Sequence, residues 1–345
     1  LDFFGIFQTE MTKHTAYDTQ DPLETALQWA DEGHGVALAT VIETWGSAPR
    51  PAGSMLCIRD DGLFAGSVSG GCVEGDVIAA AEDSIKEKQV QKLSYGVSNT
   101  MAWEVGLACG GKISVLVEPL NKELVQKAQS LRSDKIPFAM LLSEQKGLVD
   151  CCKSKNNLPN EVGDIFDKAL RDDKLQSFDL EEDRVALIPF NPPLRLIIIG
   201  AVHISQALAP LAAITGYGVT IIDPRQTFAR TERFQNQTII EDWPDDALKD
   251  LGIDSRTAIV TLTHDPKLDD PALHIALKSK CFYIGCLGSK KTHAARLERL
   301  TNNGFSPTEL NRIHGPIGLK IAARSPQEIA VSILAEITAV LRGAA

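Results

Sequence analysis

Residues 195–225 read RLIIIGAVHISQALAPLAAITGYGVTIIDPR. A branched apolar run stops at Gly200, an apolar pattern of helical length follows, and a second apolar run ends in Asp223, 23 positions after the glycine. Strand, glycine turn, helix, strand and closing carboxylate, in that order and spacing, make a dinucleotide-binding unit. Its helix N-terminus receives a phosphate and its carboxylate a ribose hydroxyl. Further strands are expected in TAIVTLTH (257–264) and CFYIGCLG (281–288), so the second half of the chain reads as a Rossmann-like, doubly wound parallel sheet.

One position breaks the pattern. The fingerprint G-x-G-x-x-G/A needs a glycine where this chain has Val202, while Ser205 takes the last small position. A β-branched side chain at Val202 projects toward the space of a pyrophosphate, which argues against ordinary NAD(P) binding. An anionic ligand is still suggested by what gathers at strand ends. Asp223 and Arg225 close one strand, His264 and Asp265 follow another, and GCLGSKKTH (285–293) brings Gly288, Ser289 and Lys290 to a helix start. Lys290 and Lys291 fit a solvated helix face equally well, and His203 and His264 fit structural roles.

Upstream of the NPPLR linker (191–195) the grammar differs, and the chain divides into an N-terminal extension (1–20), a mixed α/β domain (21–190) and the Rossmann-like domain (191–345). Asp21 and Pro22 open a helix in DPLETALQWADEGH, VALATVIET is a strand, and SMLCIRDDGLFAGSV is a hairpin about its Asp-Asp-Gly turn. A helix follows SGGC and runs to about Lys88. Then come a strand at KISVLVEPL, a helix near 121–133, a hairpin in PFAMLLSEQKGLVDCC, and a polar stretch, 153–183, holding one helix around 161–173. The C-terminal helix 325–341 carries an apolar stripe, Ile329, Ile333, Ile337 and Val340, that belongs to a core.

Two cysteines sit inside glycine clusters, Cys72 in SVSGGCVEG (67–75) and Cys109 in GLACGG (106–111). Glycine accumulates where the chain turns sharply or lets a group come close, so these thiols are candidates to face a ligand, although buried free cysteines are also common packing residues. Seven cysteines with no zinc-ligand spacing read as reduced thiols.

The chain has 345 residues, 44% hydrophobic and 23% charged, with a net charge of −10. That composition supports two globular cores, and the negative charge without a basic block excludes nucleic acid as a partner. No apolar run reaches the length of a membrane span and no basic-then-apolar leader opens the chain, so a cytoplasmic protein is expected.

The runs TWGSAPRPAGSML, GSVSGGCVEGDV, GVSNTMAWEVGLACGG, YIGCLGSKK and HGPIGLKIAARSPQEIAVSILAEI resemble the XdhC/CoxI (CoxF) family, the xanthine dehydrogenase accessory and maturation factors, over residues 23–340. The resemblance implies a molybdenum cofactor insertion chaperone rather than an enzyme. Its cargo would be the molybdopterin form of the cofactor, its partners a xanthine dehydrogenase-like molybdenum hydroxylase and a cysteine desulfurase, and its assembly a homodimer.

Such a cargo offers a phosphate, a polar pterin ring and a dithiolene-bound metal. In the first domain Ser47, Arg50, Ser67, Ser69, Gly70, Gly71, Cys72, Glu74, Cys109 and Gly110 are the candidates to hold it, with Cys72 or Cys109 nearest the molybdenum or carrying sulfur. In the second they are Gly200, His203, Asp223, Arg225, His264, Asp265, Gly288, Ser289 and Lys290, with the ligand expected in the cleft between domains. Glu74 fits a helix-start charge as well as a ligand contact, and Arg50, between two prolines, fits an aimed guanidinium or an ion pair. Val202 replaces the glycine usual in the family's turn, and Lys320 stands where an aspartate is frequent. The other readings left open are an NAD(P)-dependent oxidoreductase using Asp223 and His264, and a cysteine-based sulfur carrier using Cys109.

Overall fold

In the computed structural model, which describes residues 21–46, 48, 50–96, 111–234 and 236–344, Asp21 starts the first helix as its sequence context predicts. Its carboxylate accepts from the amides of Leu23 (3.0 Å) and Glu24 (3.1 Å), and Pro22 fills the first turn of α1 (Pro22–Asp31). The chain divides into two compact units, Leu1–Pro192 and Pro193–Ala345.

Among its described residues the first unit holds two antiparallel sheets. One is five-stranded, in the order β3-β2-β1-β5-β4, from β1 (Val36–Trp45), β2 (Met55–Arg59), β3 (Phe64–Gly66), β4 (Gln91–Tyr95) and β5 (Lys112–Pro119). The expected Asp-Asp-Gly turn joins β2 to β3, pairing Ile58 with Phe64. The other is four-stranded, in the order β7-β6-β9-β8, from β6 (Phe138–Ser143), β7 (Gly147–Cys152), β8 (Gln176–Leu180) and β9 (Asp183–Phe190).

Period-two alternation builds the layers. From β1, Leu38 faces a core shared with α1, with α3 (Lys122–Ser133) and with Phe138 and Met140 of the second sheet. Its neighbours Ala37, Ala39 and Val41 face α2 (Glu74–Glu87) on the opposite side. The far face of the second sheet packs on α4 (Asn160–Asp172) through Val162 and Phe166. The stretch read as polar with one helix therefore contains α4 and also β8. That strand is a five-residue sheet edge whose Ser177 and Asp179 are exposed, which is why composition hides it.

The second unit is a six-stranded parallel sheet ordered β12-β11-β10-β13-β14-β15. Its strands are β10 (Arg195–Ile199), β11 (Gly218–Ile222), β12 (Thr238–Ile240), β13 (Thr257–Thr261), β14 (Tyr283–Cys286) and β15 (Ile313–His314). Leu196 and Ile198 pack on α5 (His203–Ile214) and α10 (Pro326–Leu341). Ile197 and Ile199 pack on the other face with α6 (Pro244–Leu251), α7 (Pro266–Lys278) and α8 (Lys290–Asn302). A four-residue helix, α9 (Pro307–Leu310), precedes β15. Ile333 and Ile337 of α10 are fully buried, placing the expected stripe in the core. The strand order reverses between β10 and β13, so the crevice of this doubly wound sheet opens at Gly200–His203 and Thr263–Asp265.

Candidate cofactor-binding sites

The SVSGGCVEG loop folds around its own glutamate. Gly70 (φ +75°) and Gly71 (φ +114°) take left-handed backbone that turns successive amides inward, as in an anion-binding nest. Glu74, at the first position of α2, fills that nest. It accepts from the amides of Val68 (3.3 Å), Ser69 (2.9 Å), Gly70 (3.0 Å) and Gly71 (2.8 Å), from Ser67 Oγ (2.9 Å) and from Ser69 Oγ. Burial would raise its pKa, but the bonds from Ser69, Ser67 and the loop amides outweigh that and hold it at about 2. The amides of Ser69, Gly70 and Gly71, candidates from sequence to hold the cargo, are thus engaged by a permanent internal anion, and so are the hydroxyls of Ser67 and Ser69.

What the loop leaves accessible is Cys72, half-buried, beside Gly71 and Gly75. A Cβ at either glycine would meet no described atom within 4 Å, so among the described residues that surface is open. The other described cysteines are buried; burial pushes the Cys57 and Cys151 thiols up to about 12 and those of Cys152 and Cys286 to about 11. Arg50 is exposed and has no hydrogen bond or ion pair among the described residues. Ser47, Cys109 and Gly110 lie outside the described residues. No group of three or more His, Cys, Asp or Glu side chains that could hold a metal ion occurs among those described.

In the second unit the structure brings Gly200, Asp223, Arg225, His264 and Asp265 to the crevice. Gly200 has φ +108°, and a Cβ there would lie 2.5 Å from Thr263 Cγ2, so glycine is required for β10 and β13 to end this close together. Asp223 is fully buried and saturated. It accepts from Ala201 N (2.8 Å) and from Arg225 through N (3.0 Å), Nε (2.8 Å) and Nη2 (2.7 Å). Burial raises its pKa, and the Arg225 and amide bonds more than offset this, leaving it below the usual carboxylate value. The ribose-binding carboxylate of a dinucleotide site is therefore already paired, and Arg225 also stacks 4.2 Å over Phe228.

His203, the first residue of α5, is exposed; so is His264, held at φ +60°. Asp265 caps α7 by accepting from Lys267 N at 2.9 Å. Ser289 caps α8 through Thr292 N (3.1 Å), with Gly288 before it and an exposed Lys290 after.

Sequence reasoning missed two charged groups beneath this edge. Asp269 accepts from Thr263 Oγ1 (2.6 Å), and Arg296 lies 3.6 Å from it, both about 2% exposed in the side chain. Arg296 also donates to Leu287 O (3.0 Å), tying α8 to the end of β14. Asp269 follows THD closely enough to be found as a first-turn acid; nothing in the local pattern marks Arg296.

Comparison with known proteins places the chain in a family. Residues 196–337 match the XdhC Rossmann domain and residues 29–96 the XdhC and CoxI family. The chain belongs to the XdhC and CoxI family. It is 30% identical to the molybdenum cofactor insertion chaperone PaoD of Escherichia coli (strain K12), covering 93% of this chain and 89% of that one. It is 29% identical to a Bacillus subtilis (strain 168) protein named as a probable xanthine dehydrogenase subunit, covering 87% and 91%. The fold matches a crystal structure of a Bacillus halodurans protein named as a xanthine dehydrogenase, with TM-score 0.73, 26% identity and coverage of 94% and 96%.

Proposed function

We propose that this chain binds the molybdenum cofactor in its molybdopterin form and delivers it to a xanthine dehydrogenase-like molybdenum hydroxylase. The observation that carries the reading is likeness along nearly the whole chain to a protein named as a molybdenum cofactor insertion chaperone. The geometry supports it. A cargo whose metal is already held by its own dithiolene needs one soft contact and an anion contact rather than a ligand cage. Cys72 on an open glycine surface can supply the first, and the Arg50 guanidinium, unpaired among the described residues, the second. Glu74 keeps the loop in shape without the cargo, so the site is ready before loading. A cysteine desulfurase acting on the bound cofactor, and a homodimeric assembly, complete this reading. The saturated Asp223 speaks against an NAD(P)-dependent oxidoreductase.

The test is the molybdenum and pterin content of protein purified from a molybdopterin-producing host, with Cys72→Ala, Cys109→Ala and Arg50→Ala alongside. Co-purified metal and pterin that drop in one cysteine variant identify the thiol facing the metal, and a drop in Arg50→Ala shows that this guanidinium holds an anionic group of the cargo. Wild-type protein that carries neither, and takes up no added cofactor anaerobically, ends the proposal.

A further inference from the structure

Beyond the carboxyl ends of β14 and β15 lies a cavity of about 1050 Å³, formed entirely within the second unit. Its rim carries Lys290, at the start of α8, and Lys320, neither of which has a hydrogen bond or ion pair among the described residues. Apolar side chains of Leu287, Ile317 and Ile329 also line it.

The wall is braced rather than loose. Gly318 (φ +94°) approaches α10 so closely that a Cβ would lie 2.4 Å from Ser332 Oγ, and its amide donates to Glu336 Oε2 at 2.9 Å. The Tyr283 hydroxyl donates to the same oxygen, and the His314 ring stacks on Tyr283 with centroids 4.8 Å apart. Ile317 N donates to Cys286 O (3.0 Å) and Leu319 N to Ser332 O (3.2 Å), fixing the loop to β14 and to α10. Yet Leu319 and Ile321, on that same loop, are 41% and 51% exposed.

A dinucleotide on a doubly wound sheet spans two halves, one beside β10–β12 and one beside β13–β15. Here the first half is closed chemically, because Asp223 is held by Arg225 and by the Ala201 amide. The second half has a cavity, an apolar lining and two cations unpaired among the described residues. We infer that this unit binds a mononucleotide-sized phosphorylated ring compound in that cavity, its phosphate between Lys290 and Lys320 and its ring against Ile317 and Ile329, and not a dinucleotide. Two sources offer that chemistry, a free purine nucleotide and the phosphorylated pterin of the proposed cargo.

Calorimetric titration of the full chain with GMP, with 6-hydroxymethylpterin phosphate and with NAD⁺ tests the inference. At least one monophosphate binds, and Lys290→Glu and Lys320→Glu each weaken it about tenfold or more, as loss of a charge-assisted contact to phosphate requires. Lys320→Arg keeps affinity, and both reversals keep the thermal midpoint, since the two side chains are exposed. The tighter of the two monophosphates identifies the source. Molybdenum and pterin that still co-purify with the doubly reversed chain, while GMP no longer binds, assign the cavity to a free nucleotide and leave the chaperone reading standing. Absence of binding by both monophosphates at millimolar concentration overturns the inference. So does binding indifferent to both lysines, or NAD⁺ binding tenfold tighter than GMP and lost in Asp223→Ala.

Discussion

Two glutamates of the first unit are shifted in opposite directions, and the reason is the number of donors each receives. Glu74 collects six, so its folded pKa of about 2 lies below the ordinary 4.5. Its stabilisation is complete above about pH 4.5 and is lost as pH falls through about 2. Glu74→Gln should destabilise the protein by about 2 kcal/mol near neutrality, with buried donors left underserved. That difference should shrink steadily in urea unfolding series taken from pH 6 toward pH 2. Glu118 of β5 is as buried but accepts one amide bond, from Leu148, and burial pushes its carboxyl up to about 7. Because its folded pKa is raised, the protonated form is favoured, and stability present below about pH 4.5 is lost as pH rises through about 7. Glu118→Gln should therefore be near neutral at pH 4.5 and stabilising by about 1–3 kcal/mol at pH 8, read from the same unfolding curves. Neither behaviour is legible in sequence. A glutamate after SGG shows only a charge at a helix start, and the nest appears once Gly70 and Gly71 take positive φ.

Between elements, the Asp269–Arg296 pair couples α7 to α8 beneath the crevice. Asp269 Oδ2 and Arg296 Nε and Nη1 are buried without a hydrogen-bond partner among the described residues, so mutual charge does much of the compensating. Arg296→Met should cost about 3–5 kcal/mol by leaving a buried carboxylate unpaired, and adding Asp269→Leu should restore most of that. A double-mutant cycle by chemical denaturation measures the coupling, and additive costs would show that the two side chains act separately. The helices and long strands behave differently. The helix at 22–31, the Asp-Asp-Gly hairpin, β10, β11, β13 and the α10 stripe were all legible, because capping residues, turn residues and periodic apolar positions mark them locally. β12 and β15, of three and two residues, are too short to show a period, and β8 looks polar because one of its faces is solvated. The pair beneath the crevice was invisible for another reason: its partners are 27 positions apart and meet only through the tertiary fold.

At the scale of the molecule, each of the two compact units has its own core. The clusters covering both faces of the parallel sheet draw all their members from residues after Pro193. The sheet needs no strand from elsewhere, since its edges, β12 and β15, also lie within that unit. A unit with its own core and its own sheet edges meets the physical requirements of an independently folding domain. Residues 193–345 expressed alone should therefore be folded and should unfold in one cooperative transition, followed by circular dichroism with heat or urea. The same fragment carries Lys290, Lys320 and the whole lining of the cavity, so it should bind the monophosphate that the full chain binds, with affinity unchanged within about threefold. A fragment that melts without cooperativity would show that its stability depends on the first unit. A cooperative fragment that has lost the ligand would show that the first unit contributes to the site, whereas retained binding assigns recognition of the phosphorylated ring to this sheet alone.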